Sequence, residues 1–235
     1  SSKTIRRRKN VVDDAQASAP KQRRILSGKE GGGGLAATAT LQADEADSDV
    51  RRGEAIKGAM SQANIQTVDE VLMGCVLPAG QGQAPARQAG FAAGLDEDVP
   101  ATTLNKMCGS GMKAAMMAYD ALATGSADII AAGGMESMTR APYMLPKMRD
   151  GARVGHSNVI DHMFLDGLED AYTGAAMGTF AQKTADEHGL TREEMDAFAI
   201  ESLTRAQRAI DEGLNQKEIA PVTIRTRRGE HTVTV

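Results

Sequence analysis

Apolar positions in this chain follow two rhythms, and the rhythms alternate. Ala55, Ile56, Ala59, Met60 and Ala63 recur at the spacing of one helix face, which predicts an amphipathic helix from near Glu54. Val68 to Leu77 is an apolar run broken by Gly74 and reads as a buried strand. Pro78 to Gln83 is a Gly-rich loop, and Ala84 to Ala93 returns to helix, with Gly94 suited to its C-terminal cap. Thr102 to Met107 reads as a short strand. Gly111 to Thr124 is strongly helical and is closed by Gly125. Asp128 to Ala132 is a further buried strand, ended by Gly133-Gly134. Short apolar strands alternating with helices predict an α/β layered domain.

The alternation stops on both sides of this stretch. Residues 136–175 are rich in Met, Asp, Gly and Pro, without a long periodic run, and read as an excursion from the core. Met177 to Glu187 and Thr191 to Glu212 predict helices, the second with a capping box of Thr191 and Glu194. Pro221 to Ile224 and Thr232 to Val235 suggest a strand pair around Arg228-Gly229. Residues 1–53 differ again, with a basic run from Lys3 to Lys9, a glycine block at Gly31 to Gly34 and an acidic run from Asp44 to Asp49. Val11-Val12 and Ile25-Leu26 are weak strand seeds there. This composition reads as flexible or poorly specified. Three parts are expected: an atypical segment 1–53, disordered or read out of frame; an α/β core 54–135; and an irregular lobe 136–235.

Composition narrows the chemistry. The 235 residues suffice for one large domain or two small ones. Aromatics make up only 3% and Trp is absent, so Ala, Val, Ile, Leu and 13 Met must build the core. A net charge of −4 gives no reason to expect nucleic acid or an anionic membrane as partner. No apolar run approaches the ~18–20 residues of a membrane span. The basic N-terminus lacks the apolar segment and cleavage site of a secretory signal. Two cysteines, Cys75 and Cys108, do not make a disulfide framework, and reduced thiols in the cytoplasm are the expectation. His156, His162, His188 and His231 are scattered without metal-ligand spacing, so no metal is expected.

The segment carrying chemistry is Asn105-Lys106-Met107-Cys108-Gly109-Ser110-Gly111. A strand enters a Gly-flanked turn and a helix follows at once, which puts the Cys108 thiol at a helix N-terminus. Unpaired N–H groups there favour thiolate over thiol. The small residues Gly109, Ser110 and Gly111 leave room for a bulky thioester. The same pattern also fits a buried structural cysteine, and pattern alone does not separate the two. Other residues read more plainly. Cys75, in an apolar strand, is expected to be a buried small hydrophobe. Glu136 and Ser137 are expected to hydrogen-bond within the turn after a strand. Met107, Met112, Met116 and Met117 are expected in the core, and Arg227-Arg228 at a solvated hairpin tip.

From about Glu54 to Val235 the chain resembles the thiolase family. The resemblance rests on Val68-Asp69-Glu70-Val71-Leu72-Met73-Gly74, the Asn-Lys-Met-Cys-Gly-Ser-Gly segment around Cys108, and Ala132-Gly133-Gly134-Met135-Glu136-Ser137-Met138. Ala141-Pro142-Tyr143, Ala176-Met177-Gly178-Thr179 and Thr191-Arg192-Glu193-Glu194-Met195-Asp196 complete it in order. The resemblance implies a layered fold, expected as a five-stranded mixed sheet with helices on both faces, and a loop-domain lobe that covers coenzyme A. It implies acyl transfer through an acyl-Cys108 intermediate, joining two acetyl-CoA into acetoacetyl-CoA or running the reverse thiolysis. The Cys108 N–H would serve an oxyanion hole, and Leu168 and Met177 would line the acyl and pantetheine pocket. Coenzyme A thioesters are substrates, no cofactor is tightly bound, and the full-length protein is expected to be a homo-oligomer.

Two departures stand beside the likeness. The family's second half supplies a His base and a second Cys, and neither motif occurs here. The family's opening strand is not recognisable in the first fifty residues, where Gly28-Lys29-Glu30-Gly31-Gly32 is a faint echo of a later segment. An incomplete half that is at most acylated, or a structural oligomerisation module, are therefore alternatives to a complete acyltransferase.

Overall fold

The computed structural model describes residues 24–26, 28–29, 34–35, 48–226 and 229–234. Its regular elements run β1 (Arg24–Leu26), β2 (Gly28–Lys29), β3 (Gly34–Leu35), α1 (Ser48–Gln62), β4 (Glu70–Gly74) and α2 (Pro85–Ala92). Then come β5 (Ala101–Leu104), α3 (Ser110–Thr124), β6 (Ile129–Gly134), β7 (Tyr143–Met144) and β8 (Ile160–Asp161). The chain continues through α4 (Met177–Glu187), α5 (Arg192–Asp211), β9 (Val222–Thr226) and β10 (Gly229–Val233).

Four of these strands form one sheet in the order β1-β6-β4-β5. All three pairings are parallel, with Arg24 opposite Ile129, Glu70 opposite Ile130 and Val71 opposite Ala101. The expectation was five strands of mixed direction. Among the described residues there are four, all parallel, because α2 and α3 carry the chain back across the sheet between β4, β5 and β6. β1 uses the weak seed Ile25-Leu26, so a strand does form inside the segment expected to be atypical. Val11-Val12 lies outside the described residues.

Alternation along β4 sorts the two faces. Val71 and Met73 join Ile56 and Met60 of α1 and Ala86 and Ala89 of α2 in one cluster. Leu72 points the other way and packs with Ala114, Ala118 and Leu122 of α3, together with Ile130 and Ala132 of β6. Both faces of the sheet are thus covered by helices, as the strand sequences require when neither face is polar. Two carboxylates lock β6 to the centre. Asp69 accepts the Asp128 and Ile129 N–H groups at 2.7 and 2.8 Å, where β6 begins. Glu136 accepts the Val76 and Leu77 N–H groups at 2.8 and 3.0 Å, past the end of β4.

α3 departs from expectation on one face. Ala114 and Ala118 are buried, and Ala115 and Ala121 are half-buried. Met112, Met116 and Tyr119, at i, i+4 and i+7, are exposed, Met112 to 73%. Met107 is exposed as well, and only Met117 packs against the core. The methionines expected inside therefore form an uncovered stripe. Close approach to the sheet selects the small-residue stripe and turns the bulky one outward.

The lobe after Gly134 is irregular down to α4. β7 and β8 pair antiparallel, and Phe164–Leu168 forms a wide π turn. α4 and α5 take the predicted spans, and Thr191 and Glu194 make the predicted capping box. α4 buries only Ala185 and α5 buries no residue. Their i,i+4 pairs Lys183–Glu187, Arg192–Asp196 and Arg205–Glu201 are solvent-exposed and add little stability. β9 and β10 pair antiparallel, with Val222 and Ile224 buried; Arg227 and Arg228 lie outside the described residues. Among the described residues no helix is long and apolar enough to cross a membrane.

Candidate functional site

The turn from β5 into α3 is held by its own side chains. Asn105 Oδ1 accepts the Met107 N–H at 2.8 Å, and Asn105 Nδ2 donates to Val76 O at 3.4 Å. The buried Ser110 hydroxyl accepts the Lys106 N–H at 2.8 Å and donates to Met107 O at 2.5 Å. Between them Met107 is kept at φ +49°, a left-handed conformation that costs a non-Gly residue about 1–3 kcal/mol. Cys108 follows Met107 and precedes Gly109, the N-cap of α3. Its thiol is exposed, so the buried structural alternative falls away.

The site lies at the carboxyl ends of parallel strands, where α/β sheets open a crevice. α3 comes close enough only because β4 ends in glycine. A Cβ at Gly74 would stand 2.6 Å from both the carbonyl carbon and the Cβ of Ser110.

Cys75 is the other thiol and behaves differently. It is 2% exposed, and its sulfur contacts Glu136 Oε1 at 3.7 Å and Gln81 Oε1 at 3.9 Å. Burial, reinforced by the negative charge of Glu136, pushes its pKa up to about 11. The expected buried small hydrophobe is confirmed, with a polar contact added. Glu136 itself corrects an expectation: its carboxylate does not bond within its own turn. It spans to residues 76 and 77, some 60 positions back. In Glu136→Gln one of those amides would lose its acceptor. The urea midpoint should fall by the equivalent of about 1.5–3 kcal/mol. Labelling of Cys75 at pH 9–10 should accelerate, because the charge that opposes its ionisation is gone while its burial remains.

Leu168 ends the wide turn and Met177 begins α4. Glu169 and Ala176 form an antiparallel bridge, and the Asp170 N–H donates to Ala175 O at 2.9 Å. That bridge joins the residue after Leu168 to the residue before Met177. Gly167 next to Leu168 packs on Leu77, with Leu77 Cδ2 3.4 Å from where a Cβ would stand. The structure therefore joins the segments that carry the two predicted residues through their neighbours, and seats the turn ending at Leu168 against Leu77, next to the Val76 carbonyl that Asn105 holds. Among the described residues no cluster of His, Cys, Asp and Glu could hold a metal ion.

The apolar neighbours of His162 let it fold inward, as it does, but nothing in the sequence singled it out for a role. His162 is 5% exposed, with Nδ1 2.6 Å from Asp166 Oδ2. The i,i+4 spacing of His and Asp was the available signal, but no periodic pattern around it marked the segment as helical.

Comparison with known proteins agrees with this geometry. The thiolase N-terminal domain family matches residues 39–235. An acetyl-CoA acetyltransferase of Cupriavidus necator is 48% identical over 177 residues, 74% of this chain and 45% of that protein. One from Pseudomonas aeruginosa is 50% identical over 163 residues, 69% of this chain and 42% of that protein. One from Schizosaccharomyces pombe is 47% identical over 178 residues, 75% of this chain and 45% of that protein. The chain spans less than half the length of these curated relatives. The turn around an exposed cysteine, the parallel sheet that carries it and the extent of these matches together place the chain in the thiolase family.

Proposed function

We propose that this chain is the nucleophile-bearing part of an acetyl-CoA acetyltransferase that works through an acyl-Cys108 intermediate. The observation that carries the reading is the exposed Cys108 thiol at the amino end of α3, on a strained turn that Asn105 and Ser110 keep in place. Strain retained beside an accessible nucleophile is a common mark of a reacting site.

In the first half-reaction the Cys108 thiolate attacks the carbonyl carbon of acetyl-CoA. Negative charge develops on the carbonyl oxygen, and the Cys108 N–H is one donor for it. The tetrahedral intermediate collapses to the acetyl thioester of Cys108, and coenzyme A leaves. In the second, acetyl-CoA deprotonated at its methyl carbon attacks that thioester to give acetoacetyl-CoA and free Cys108; thiolysis is the reverse. Leu168 and Met177 form an apolar wall for the acyl and pantetheine groups. The carbon–carbon step needs a base at the methyl group, and none of His156, His162, His188 and His231 lies in a motif that resembles the family's His base. That favours acylation without condensation for the 235-residue chain alone. The intact protein is proposed to be a cytoplasmic homo-oligomer.

The test is to incubate the purified chain with acetyl-CoA and map the acetyl group by peptide mass. Slow acetylation at Cys108, lost in Cys108→Ala, is expected, with no acetoacetyl-CoA above background. Acetylation that persists in Cys108→Ala would overturn the nucleophile assignment. Condensation at the rate of an intact thiolase, lost in the same variant, would reveal a base within the chain.

A further inference from the structure

His162 stands apart from the rest of its lobe. Most side chains around it in the sequence are exposed, and it is 95% buried by the measure of its 5% exposure. Its N–H donates to Pro142 O at 3.2 Å, and Nδ1 lies 2.6 Å from Asp166 Oδ2. Nε2 is buried without a partner. A buried nitrogen in that state is unfavourable, so an apolar residue of similar size would fill the space at less cost. What an apolar residue lacks is a donor for Asp166. At 2.6 Å from Asp166 Oδ2, Nδ1 can supply that donor, which is the reason a histidine fits here.

Asp166 lies within the wide turn Phe164–Leu168. Such π turns are rare and concentrate at functional sites. The turn closes through the Glu169 N–H to Phe164 O at 2.9 Å, leans on Leu77 through Gly167, and ends at Leu168, whose neighbour Glu169 is bridged to Ala176 just before Met177. On its other side Pro142 packs 3.6 Å from where a Cβ of Gly80 would stand. His162 therefore ties the segment that leans on the 78–83 loop to the turn that carries Leu168.

We propose that His162 is a positioning residue for the acyl-CoA site: through Asp166 it fixes the wide turn so that Leu168 and Met177 form the wall along which the pantetheine arm lies. The proposal rests on the coenzyme A reading given above. It gives His162 no contact with the reacting atoms.

The test is the rate of Cys108 alkylation by iodoacetamide, read by peptide mass, with increasing coenzyme A. In the wild-type chain coenzyme A should slow the labelling. In His162→Ala, half-protection should need roughly tenfold more coenzyme A, the equivalent of about 1.4 kcal/mol. The rate without coenzyme A should not change. His162→Asn, whose amide nitrogen stands where Nδ1 does, should return to near the wild-type value. Equal half-protection in wild type and His162→Ala would overturn the proposal and leave the coenzyme A reading intact. A comparable change in the unprotected rate would mark the residue as merely structural and overturn it too. Should His162→Ala fail to fold, His162→Asn is compared with His162→Gln, whose amide falls nearer Nε2; equal protection in those two would overturn the proposal. Absence of protection in the wild type would instead remove the coenzyme A reading, and this inference with it.

Discussion

Iodoacetamide at pH 8 should alkylate Cys108 at least about a hundredfold faster than Cys75. The difference comes mostly from Cys75. Its pKa is raised from 9.0 to about 11, which reduces its thiolate about a hundredfold at any pH well below 9. Its 2% exposure adds the requirement that β4 and its loop open before reagent can enter. Cys108 needs no opening, because its thiol is already exposed. Peptide mapping over a time course measures both rates in one sample. Faster labelling of Cys75 would remove the physical basis for treating Cys108 as the nucleophile. In 6 M guanidinium the gap should close to within a few-fold, because both thiols then face the same solvent.

Replacement of Gly74 should be the most damaging single substitution among the glycines at the site. In Gly74→Ala the new methyl group would press on the backbone of Ser110 and Gly111, with contacts of 2.6 and 2.7 Å. Backbone cannot rotate away as a flexible side chain can, so α3 must lift from the sheet. Overpacking of this kind costs about 3 kcal/mol, and a loss of that size in a urea titration is expected. Lifting α3 also displaces Ser110, whose hydroxyl holds the Met107 turn, so Cys108 alkylation should change along with stability. Gly178→Ala is the matched control. Nothing lies within 4 Å of a Cβ at Gly178, in the first turn of α4, and stability should hold or rise by up to about 1 kcal/mol. If the two variants lose the same stability, the close approach of α3 to β4 is not what requires a glycine at residue 74.

The elements that the sequence made legible are those with a repeating pattern. α2, α3, β4 and β6 follow from their apolar patterns to within about three residues at each end, whereas α1 begins at Ser48, six residues before Glu54 and inside the segment expected to be atypical. The capping box at Thr191 and Glu194 was readable because its two partners are three residues apart. Partners distant in sequence were not readable. Glu136 follows a strand as a turn residue would, and nothing local says that its carboxylate serves Val76 and Leu77. β1 has only three paired residues, too few to show alternation, so it was legible only as a weak seed. The methionines of α3 mark a different limit. Periodicity identifies two apolar stripes on that helix but not which one the sheet will cover; the size of Ala114 and Ala118 decides that. At the site, the Asn-Lys-Met-Cys-Gly-Ser-Gly segment located Cys108 directly, whereas His162 acquires its role only from burial and from Asp166.

The two carboxylate locks on β6 have a consequence for how the chain is made. Asp69 and Glu136 each join residues about 60 positions apart. From the release of β4 until β6 follows, the nascent chain therefore leaves one edge of the central strand without its partner, since β5 pairs only with the other edge. At about 5–20 residues per second, the ribosome needs roughly 3–12 s to deliver the remaining 60 or so. Throughout that interval the edge of β4 that will receive β6 is an open template for strands from other chains. Slowing synthesis between residues 76 and 136 would lengthen this exposure, and a chaperone that covers apolar strand edges has its longest opportunity there.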